Sequence, residues 1–377
     1  MITQSTMSNN RDQVQEEALK VSLDNDRCTL AISMGVGKTR IAIKNLQARY
    51  NPLSTALVVV PKLSIKQAWL DELDKLNLQD LKGSISFVTY LSLNKKDPEA
   101  YDIVYLDECH SILESHLPFL KAFKGKILGL TGTPPVNKTS TKYKIIASYC
   151  PVKYTFTVDN ATDSDILNDY RIIVHMLQLS KLKTCKKKNK KTGGTWFTSE
   201  LDDYNYLTKR LHDANTPKLR QISSIMRMKA MQSYYTKEEY AKGIIKNMED
   251  KVIVFANTKE QADRIAPYSF YSGNNMSNHN LRMFANDEIP ALSCILQLSE
   301  GVTIPNLRQG IIMHAYGNER KSAQRIGRLL RLNPDETATC HILCYKGTVD
   351  EKWVKNALSE FDDSKIKYYD PLNKTYE

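Results

Sequence analysis

Short apolar runs rich in Val, Ile and Leu recur along the chain, and polar stretches with a helical pattern lie between many of them. Runs this apolar are typical of strands that are buried on both faces, as in parallel sheets. Strands alternating with helices indicate a doubly wound α/β architecture. The pattern predicts helices at 39–50, 64–76 and 259–266. It predicts strands at 28–32, 56–60, 85–90, 102–106, 127–130, 251–256, 292–298, 310–314 and 340–345.

The predicted strands fall into two groups, and we predict no strand in the roughly one hundred residues between them. A chain of 377 residues with 41% hydrophobic content is long enough for two domains of ordinary size. We therefore expect two parallel-sheet domains, residues 1–160 and 161–377, that are similar in shape rather than in sequence.

A lysine-rich stretch, residues 181–194, lies between the two groups, and we predict that it is an exposed loop. Seven of the eleven residues from Lys181 to Lys191 are lysines. A solvated charge run would explain them, and so would a contact with phosphates. In the second case the neighbouring Trp196 and Phe197 could stack on a base or wedge a junction.

Charge and cysteine content limit the setting in which the chain acts. The net charge of +11 favours a polyanionic partner such as nucleic acid or an acidic membrane surface, although solubility alone would also explain it. No apolar run approaches the ~20 residues that cross a bilayer. The seven cysteines include no CxxC pair, and Cys340, His341 and Cys344 lie in a predicted strand, so we expect neither zinc nor disulfides. An intracellular, reducing setting follows.

The segment SMGVGKT stands between a predicted strand and a predicted helix, which is the context of a phosphate-binding loop. Gly35 and Gly37 let backbone N–H groups approach the phosphates of ATP, and the helix N-terminus adds its dipole. Lys38 is suited to reach the β- and γ-phosphates, and the hydroxyl of Thr39 to ligate Mg²⁺. The strict pattern GxxxxGK[ST] is not met, because Ile32 stands at its first glycine.

Two adjacent carboxylates, Asp107 and Glu108, follow the predicted strand at 102–106. The carboxyl ends of such strands are where α/β sheets bind ligands. Asp107 is suited to hold Mg²⁺, and Glu108 to orient and deprotonate an attacking water. A lone pair of this kind could be an ordinary turn, but the phosphate loop upstream makes that interpretation weak. Thr131 and Thr133, in the turn LTGTP, could hydrogen-bond the pair and sense the γ-phosphate.

The segment QRIGRLLR contains the last set of candidate residues. Arg328 and Arg331 are three positions apart and would project from one face of a helix. Arginines aimed at the γ-phosphate stabilise charge in the transition state and contribute ~10³–10⁵ in rate. Because they lie in the second half of the chain, we expect a site that is complete only when two lobes close. A basic surface helix is the alternative.

Together these segments resemble the superfamily 2 helicases and translocases of the DExH type. Eight landmarks stand in the family's order, and the first lobe is similar to the Swi/Snf type, whereas QRIGRLLR is nearer to the XPB and UvsW helicases. The resemblance implies two RecA-like lobes of the P-loop NTPase class, with ATP and Mg²⁺ as cofactors. The landmarks are MGVGKT, VVVPKLSIKQAW, FVTYLSL, LDECH, LTGTP, KVIVFANT, LSEGVTIP and QRIGRLLR.

The resemblance also implies roles for further residues. A glutamine upstream of the phosphate loop reads adenine, and of Gln13 and Gln15 we prefer Gln15. Gln324 joins the two arginines, and His110 joins Thr131 and Thr133 as a coupling residue. The motifs that line the nucleic-acid groove imply backbone contacts, which carry affinity without reading sequence. The implied contact residues are Pro61, Lys62, Thr89, Tyr90, Asn257, Thr258, Gly301 and Thr303.

The leading hypothesis is a monomeric motor that hydrolyses ATP and moves on DNA, with unwinding, annealing or branch remodelling as the outcome. An RNA helicase is the nearest alternative. A clamp that binds nucleic acid without turnover and the motor subunit of a restriction enzyme are more distant ones, and we find no nuclease motif for the latter. A phage or viral origin would suit the compact length, with the protein acting in the cytoplasm of the host cell.

Overall fold

The computed structural model describes residues 4–33, 35–51, 54–164, 166, 169–189, 192–295, 304–315, 337–359 and 361–376. The chain divides into two compact units, and the division falls between Asp169 and Tyr170. The sequence-based boundary was nine residues earlier. The difference arises because helix α6 (Val158–Asp163), whose first turn is capped by the side chain of Thr157, belongs to the first unit.

The first unit is built on a parallel sheet with the order β3-β2-β4-β5-β1-β6 among its described residues. Its strands are β1 (Arg27–Ile32), β2 (Ala56–Val60), β3 (Ile85–Thr89), β4 (Ile103–Asp107), β5 (Lys126–Thr131) and β6 (Val152–Phe156). Besides α6, its helices are α1 (Gln4–Asp24), α2 (Lys38–Arg49), α3 (Ile65–Lys75), α4 (Leu117–Ala122) and α5 (Thr141–Tyr149).

The apolar runs form the centre of this sheet, as the pattern predicts. Every residue of β2, with the sequence ALVVV, is buried. Helix α3 packs Ile65, Trp69 and Leu73 inward, and this spacing of four residues places the three side chains on one face. Buried strands with amphipathic helices packed against them are the expected result of such a sequence.

The second unit contains a sheet with the order β11-β12-β10-β13-β14-β7-β15-β16, parallel except for its last pair. Its strands are β7 (Tyr170–Leu177), β10 (Val252–Ala256), β11 (Ser269–Phe270), β12 (Ala291–Ile295), β13 (Gln309–Ile312), β14 (Ala338–Tyr345), β15 (Ile366–Asp370) and β16 (Thr375–Tyr376). Its helices are α7 (Glu200–His212), α8 (Pro217–Gln232), α9 (Tyr235–Lys246), α10 (Lys259–Ile265), α11 (Ser277–Ala285) and α12 (Val349–Leu358).

All nine predicted strands and all three predicted helices are confirmed, with bounds within two residues wherever the structure describes them. The expectation of no strand between the two groups was wrong. Strand β6 lies at the edge of the first sheet, and β7 lies inside the second sheet between β14 and β15. Arg171 and His175 interrupt the apolar pattern of β7, although its alternate positions are buried.

The stretch at 181–194 is also not a simple loop. Strand β8 (Cys185–Lys188) pairs in an antiparallel manner with β9 (Thr195–Thr198) to form a separate hairpin. The strand predicted around Cys340, His341 and Cys344 is β14, and His341 Nδ1 lies 2.9 Å from Nε2 of His175. The part of the chain that the structure describes contains no cluster of three or more potential metal ligands. None of its helices is long and apolar enough to cross a membrane.

Candidate active site

The register of the first sheet brings the predicted site segments to one edge. Ala31 of β1 pairs with Thr131 of β5, and Leu130 of β5 pairs with Asp107 of β4. All three strands are parallel, so their carboxyl ends lie at the same edge. The phosphate loop after β1, the acidic pair after β4 and the LTGTP turn after β5 therefore meet there, which is where α/β sheets bind ligands.

Two glycines of the phosphate loop adopt backbone angles that other residues rarely adopt. Gly35 has φ 89° and Gly37 has φ 107°, both in the left-handed region. A Cβ atom on Gly37 would also lie 2.6 Å from Nε2 of Gln15. Helix α2 begins immediately after Gly37, and its first N–H groups have no acceptor within the helix. This arrangement is suited to bind phosphate groups.

Of the two candidate glutamines, the structure brings Gln15 to the phosphate loop. Its Nε2 donates a 2.7 Å hydrogen bond to the carbonyl of Val36, and the side chain is 2% exposed. Its Oε1 is buried and accepts no hydrogen bond from the described residues. Gln13 lies on the exposed side of α1 and bonds to Glu17 instead.

The cationic group of the loop is held close to its own backbone. Lys38 Nζ donates a 3.2 Å hydrogen bond to the carbonyl of Ile32, the residue that replaces the first glycine of the strict pattern. Thr39 follows in the first turn of α2 and is partly exposed. Ser33, for which we predicted no role, has a buried hydroxyl with no hydrogen-bond partner among the described residues.

Asp107 is buried, with 7% of its surface exposed, and its Oδ2 accepts a 3.0 Å hydrogen bond from Nε1 of Trp69. Burial raises the pKa of Asp107 to about 6, and the negative charge of Glu108 adds to this. The hydrogen bond from Trp69 and the charge of Lys38 act in the opposite direction. A cation beside this carboxylate would stabilise its ionised form. The role of Trp69 was missed, since its spacing along α3 indicates only a core residue.

Glu108 has φ 49°, a conformation that is uncommon for a residue with a side chain. Its Oε2 is buried, accepts no hydrogen bond from the described residues and lies 3.3 Å from Nδ1 of His110. That same nitrogen lies nearer to Oγ1 of Thr131, at 2.8 Å. Oγ1 of Thr131 also accepts a bond from the backbone N–H of Thr133. The three predicted coupling residues are thus assembled next to Glu108.

Several buried polar atoms at this edge have no hydrogen-bond partner in the described part of the chain: Gln15 Oε1, Ser33 Oγ, Glu108 Oε2 and Thr133 Oγ1. A buried polar group without a partner costs about 1–3 kcal/mol, so such groups indicate a ligand, ordered water or an ion. The hydroxyl of Thr39 and the carboxylate of Asp107 are oxygen ligands of the kind that Mg²⁺ prefers. Mg²⁺ usually binds through one or two carboxylates together with substrate phosphates. The residues present therefore fit a magnesium–nucleotide complex.

The predicted nucleic-acid contacts of the first unit have different environments. Lys62 is exposed, and Pro61 and Thr89 are partly buried. Tyr90 is 6% exposed, and its hydroxyl donates a 2.9 Å hydrogen bond to the carbonyl of Asp107. The expectation that Tyr90 reaches a phosphate needs correction, because its polar atom is buried and already bonded. Through this hydrogen bond Tyr90 instead stabilises the end of β4, where Asp107 lies.

In the second unit, two of the predicted contacts lie at the carboxyl end of β10. The hydroxyl of Thr258 caps α10 by accepting a bond from the N–H of Gln261. Nδ2 of Asn257 is buried without a partner among the described residues. The remaining residues predicted for this half lie outside the described residues: Gly301, Thr303, Gln324, Arg328 and Arg331.

Two protein families match parts of the sequence. Residues 8–136 match the family described as Type III restriction enzyme, res subunit, and residues 236–333 match the Helicase conserved C-terminal domain. The first match contains the phosphate loop and the acidic pair. The second extends over the segment of Gln324, Arg328 and Arg331.

The sequence also resembles individual proteins. The DNA 3'-5' translocase XPB2 of Sulfurisphaera tokodaii is 24% identical over 368 residues, which cover 89% of this chain and 82% of that protein. The putative ATP-dependent RNA helicase QP509L of African swine fever virus is 34% identical over 130 residues. The latter match covers 29% of this chain and 25% of the viral protein.

Solved structures share the fold. The helicase domain of Pyrococcus furiosus Hef superposes with a TM-score of 0.51 at 15% identity, over 90% of this chain and 96% of that chain. The Type ISP restriction-modification enzyme LlaBIII superposes with a TM-score of 0.61 at 17% identity, over 94% of this chain but 30% of that enzyme. These likenesses and the two parallel sheets identify the fold as a pair of RecA-like lobes.

Proposed function

We propose that this chain, which belongs to the superfamily 2 helicases and translocases, is an ATP-hydrolysing motor that acts on DNA. One observation carries the proposal. The sheet register brings the phosphate loop, the carboxylates of Asp107 and Glu108 and the hydroxyl of Thr131 to one edge of a RecA-like lobe. This set contains the groups that bind a triphosphate and activate a water molecule.

The geometry of the loop supports ATP binding. The N–H groups at the start of α2 and the ammonium group of Lys38 would bind the phosphates, so that Lys38 exchanges the carbonyl of Ile32 for phosphate oxygens. Mg²⁺, held by Asp107 and Thr39, would neutralise charge on the β- and γ-phosphates. Oε1 of Gln15 is a buried acceptor beside the loop and is suited to receive the 6-amino group of adenine.

Hydrolysis requires a base that can approach water. Oε2 of Glu108 accepts no hydrogen bond from the described residues, so it is available to accept a proton from a water molecule aligned with the γ-phosphate. The contact between His110 and Thr131 would couple the presence or absence of the γ-phosphate to strand β5. For Gln324, Arg328 and Arg331 we keep the role that the family resemblance implies, the stabilisation of transition-state charge.

The relative that aligns over most of the chain supports DNA as the substrate, since it is described as a DNA translocase. The net charge of +11 suits any nucleic acid. RNA is the second candidate, because the viral relatives are described as putative RNA helicases. On either substrate, Lys62 and Asn257, which lie just after the carboxyl ends of β2 and β10, would contact the phosphate backbone of the nucleic acid.

The test is the ATPase rate of the protein with single-stranded, duplex and branched DNA and with RNA of the same sequence. We expect DNA to stimulate hydrolysis, and the preferred form of DNA would indicate unwinding or branch remodelling as the outcome. Stimulation by RNA alone would replace DNA with RNA as the substrate. No stimulation by any of the four would contradict a nucleic-acid motor.

A motor within a restriction system is a further candidate, favoured by the family match over residues 8–136. It makes a separate prediction, which is ATP-dependent cleavage of plasmid DNA by the protein with its cognate subunits. If the plasmid is not cleaved, the restriction-system candidate is contradicted, and the proposed motor stands without a nuclease activity. For the setting we propose the interior of a cell, because within the described residues none of the seven buried cysteines forms a disulfide.

A further inference from the structure

The hairpin formed by β8 and β9 lies outside the site described above. It follows β7 of the second unit and precedes α7. The 30 residues from 170 to 199, which include it, contain no acidic residue. Such a segment attracts polyanions, but charge alone does not distinguish a binding surface from a solvated one.

The two faces of the hairpin differ in their surroundings. Residues directly opposite each other on an antiparallel pair share a face, as do residues two apart on one strand. Cys185 and Lys187 therefore share one face. Cys185 is buried in the core of the second unit, and Lys187 Nζ lies 2.6 Å from Oδ2 of Asp203 on α7. At Cys185 and Lys187 this face contacts the body of the unit, whereas Trp196, the cross-strand partner of Lys187, is 51% exposed.

The opposite face has no such partners. Lys186 pairs with Phe197 and Lys188 with Thr195, and all four residues are exposed. In the described part of the chain, neither Lys186 nor Lys188 forms an ion pair. Phe197 exposes 57% of its surface, which is unusual for a phenylalanine that merely fills a hairpin. We call Lys186, Lys188 and Phe197 the outer face.

We propose that the outer face binds a single-stranded segment of nucleic acid, with lysines on phosphates and Phe197 stacked on an unpaired base. Lys186 and Phe197 lie side by side as cross-strand partners, so they can contact the phosphate and the base of one nucleotide. Lysine-lined surfaces with exposed aromatic rings are the usual means of binding single strands without reading their sequence. A base within a duplex offers no free face to a ring, so stacking selects an unpaired strand.

This inference rests on the proposed function, because it assigns a second contact surface to the same substrate. The outer face is distinct from the sequence motifs that lie at the carboxyl ends of the β-strands. It would hold a strand at a position where duplex and single strand meet, and so favour branched over uniform duplex substrates.

The test measures binding by fluorescence anisotropy, with a labelled oligothymidine strand and with a duplex of the same length. Phe197→Ala is expected to weaken binding of the strand by about 5- to 100-fold and to leave duplex binding unchanged. Phe197→Tyr, which keeps the ring, should bind nearly as the wild type does. The double variant K186A/K188A is expected to reduce the slope of log Kd against log salt by about 1.4. Phe197→Ala should not change that slope.

The matched control is K121A/K124A, which removes the same charge from two exposed lysines that precede β5, at the amino end of the first sheet. It should bind the strand as the wild type does. If the wild type binds the strand and the outer-face variants bind it equally well, the inference is wrong but the proposed function stands. If the wild type binds no nucleic acid, the proposed function fails first. Phe197-dependent binding to phosphatidylserine vesicles, with strand binding unchanged, would assign the face to membranes instead.

Discussion

Nε1 of Trp69 donates a 3.0 Å hydrogen bond to Oδ2 of Asp107, and this contact joins helix α3 to the end of β4. Both residues are buried, so the bond lies where water cannot replace it. It stabilises the ionised carboxylate against the effect of burial, which raises the pKa of Asp107 to about 6. Trp69 therefore helps to keep ionised the carboxylate that we expect to hold Mg²⁺.

Replacing this tryptophan by phenylalanine should make ATP hydrolysis more sensitive to acid. Trp69→Phe keeps an aromatic ring but removes the donor, so the pKa of Asp107 rises further above its ordinary value. Asp107 would then be protonated at higher pH and lose its affinity for Mg²⁺. We expect the acid limb of the ATPase pH profile to move to higher pH, with roughly a tenfold loss at pH 6.5 relative to pH 8.

Phe87→Leu provides the control, because Phe87 contacts the ring of Trp69 edge-on but donates no bond to Asp107. It should reduce stability without moving the acid limb. An acid limb of Trp69→Phe that coincides with that of the wild type would show that the bond does not act on the reaction.

Gln15 and Gln13 allow a matched test of nucleobase recognition. Gln15→Ala removes the acceptor beside the phosphate loop, so the preference for ATP over GTP should fall by about tenfold. Gln13→Ala, two residues away on the exposed side of α1, should leave the preference unchanged. The ratio of kcat/KM for the two nucleotides is the measurement. An unchanged ratio in Gln15→Ala would assign Gln15 only to holding the carbonyl of Val36.

A buried ion pair lies in the core of the second unit. Lys237 Nζ lies 2.5 Å from Oδ2 of Asp350, and both side chains are fully buried. The ammonium group also donates to the carbonyls of Leu343 and Met313 and lies over the ring of Tyr345. Lys237→Met would leave a buried carboxylate without its cation and should cost about 3–5 kcal/mol in the free energy of unfolding.

The double variant K237M/D350N should recover much of this loss, because the asparagine removes the uncompensated charge and still accepts the N–H of Tyr345. Urea unfolding measures both. A loss below about 1 kcal/mol in Lys237→Met would mean that the pair is dispensable.

Two histidines on neighbouring strands make stability depend on pH. Nε2 of His175 lies 2.9 Å from Nδ1 of His341, and the other ring nitrogen of His175 lies 2.9 Å from the hydroxyl of Tyr240. Burial lowers the pKa of His175 to about 3, with a further contribution from the charge of His341, and burial lowers the pKa of His341 to about 4. The unfolded chain therefore binds protons first as the pH falls below about 6.5. The stabilisation is complete above that pH and is lost as the pH falls toward 4.

His341→Asn keeps a polar group near Nδ1 but removes one titrating ring. Between pH 7 and pH 5 the free energy of unfolding of the wild type should fall by about 1–2 kcal/mol more than that of the variant. The opposite effect of Asp107 is common to both proteins and cancels in the comparison. Equal losses in the two proteins would show that His341 is protonated in the folded state at pH 5.

How far the sequence predicts this fold depends on how locally each signal is encoded. The five residues of β2 are apolar and buried, so periodicity alone identifies the strand. In β6 no residue is fully buried, since the strand lies at the sheet edge, and its pattern is weak. In β7 the buried His175 is polar, and its partners Tyr240 and His341 lie 65 and 166 residues away, so the sequence around it does not reveal the strand.

The same distinction applies to the site. The phosphate loop and the acidic pair are local motifs, and their residues lie together at one edge of the first sheet. The residues that tune them come from distant segments. Trp69 reaches Asp107 across 38 positions, and Tyr90 reaches the same residue across 17. Which side chain reaches inward follows from packing, and this explains why Tyr90 was assigned to nucleic acid and why no role was predicted for Trp69.

The central claim is that Glu108 activates water for attack on a nucleotide held by the neighbouring loop. The most direct measurement is phosphate release in the presence of DNA by Glu108→Gln, with Glu114→Gln, an exposed carboxylate six residues on, as the control. We predict that Glu108→Gln binds ATP but releases phosphate at least about 100-fold more slowly, whereas Glu114→Gln matches the wild type. Equal rates for Glu108→Gln and the wild type would contradict the account.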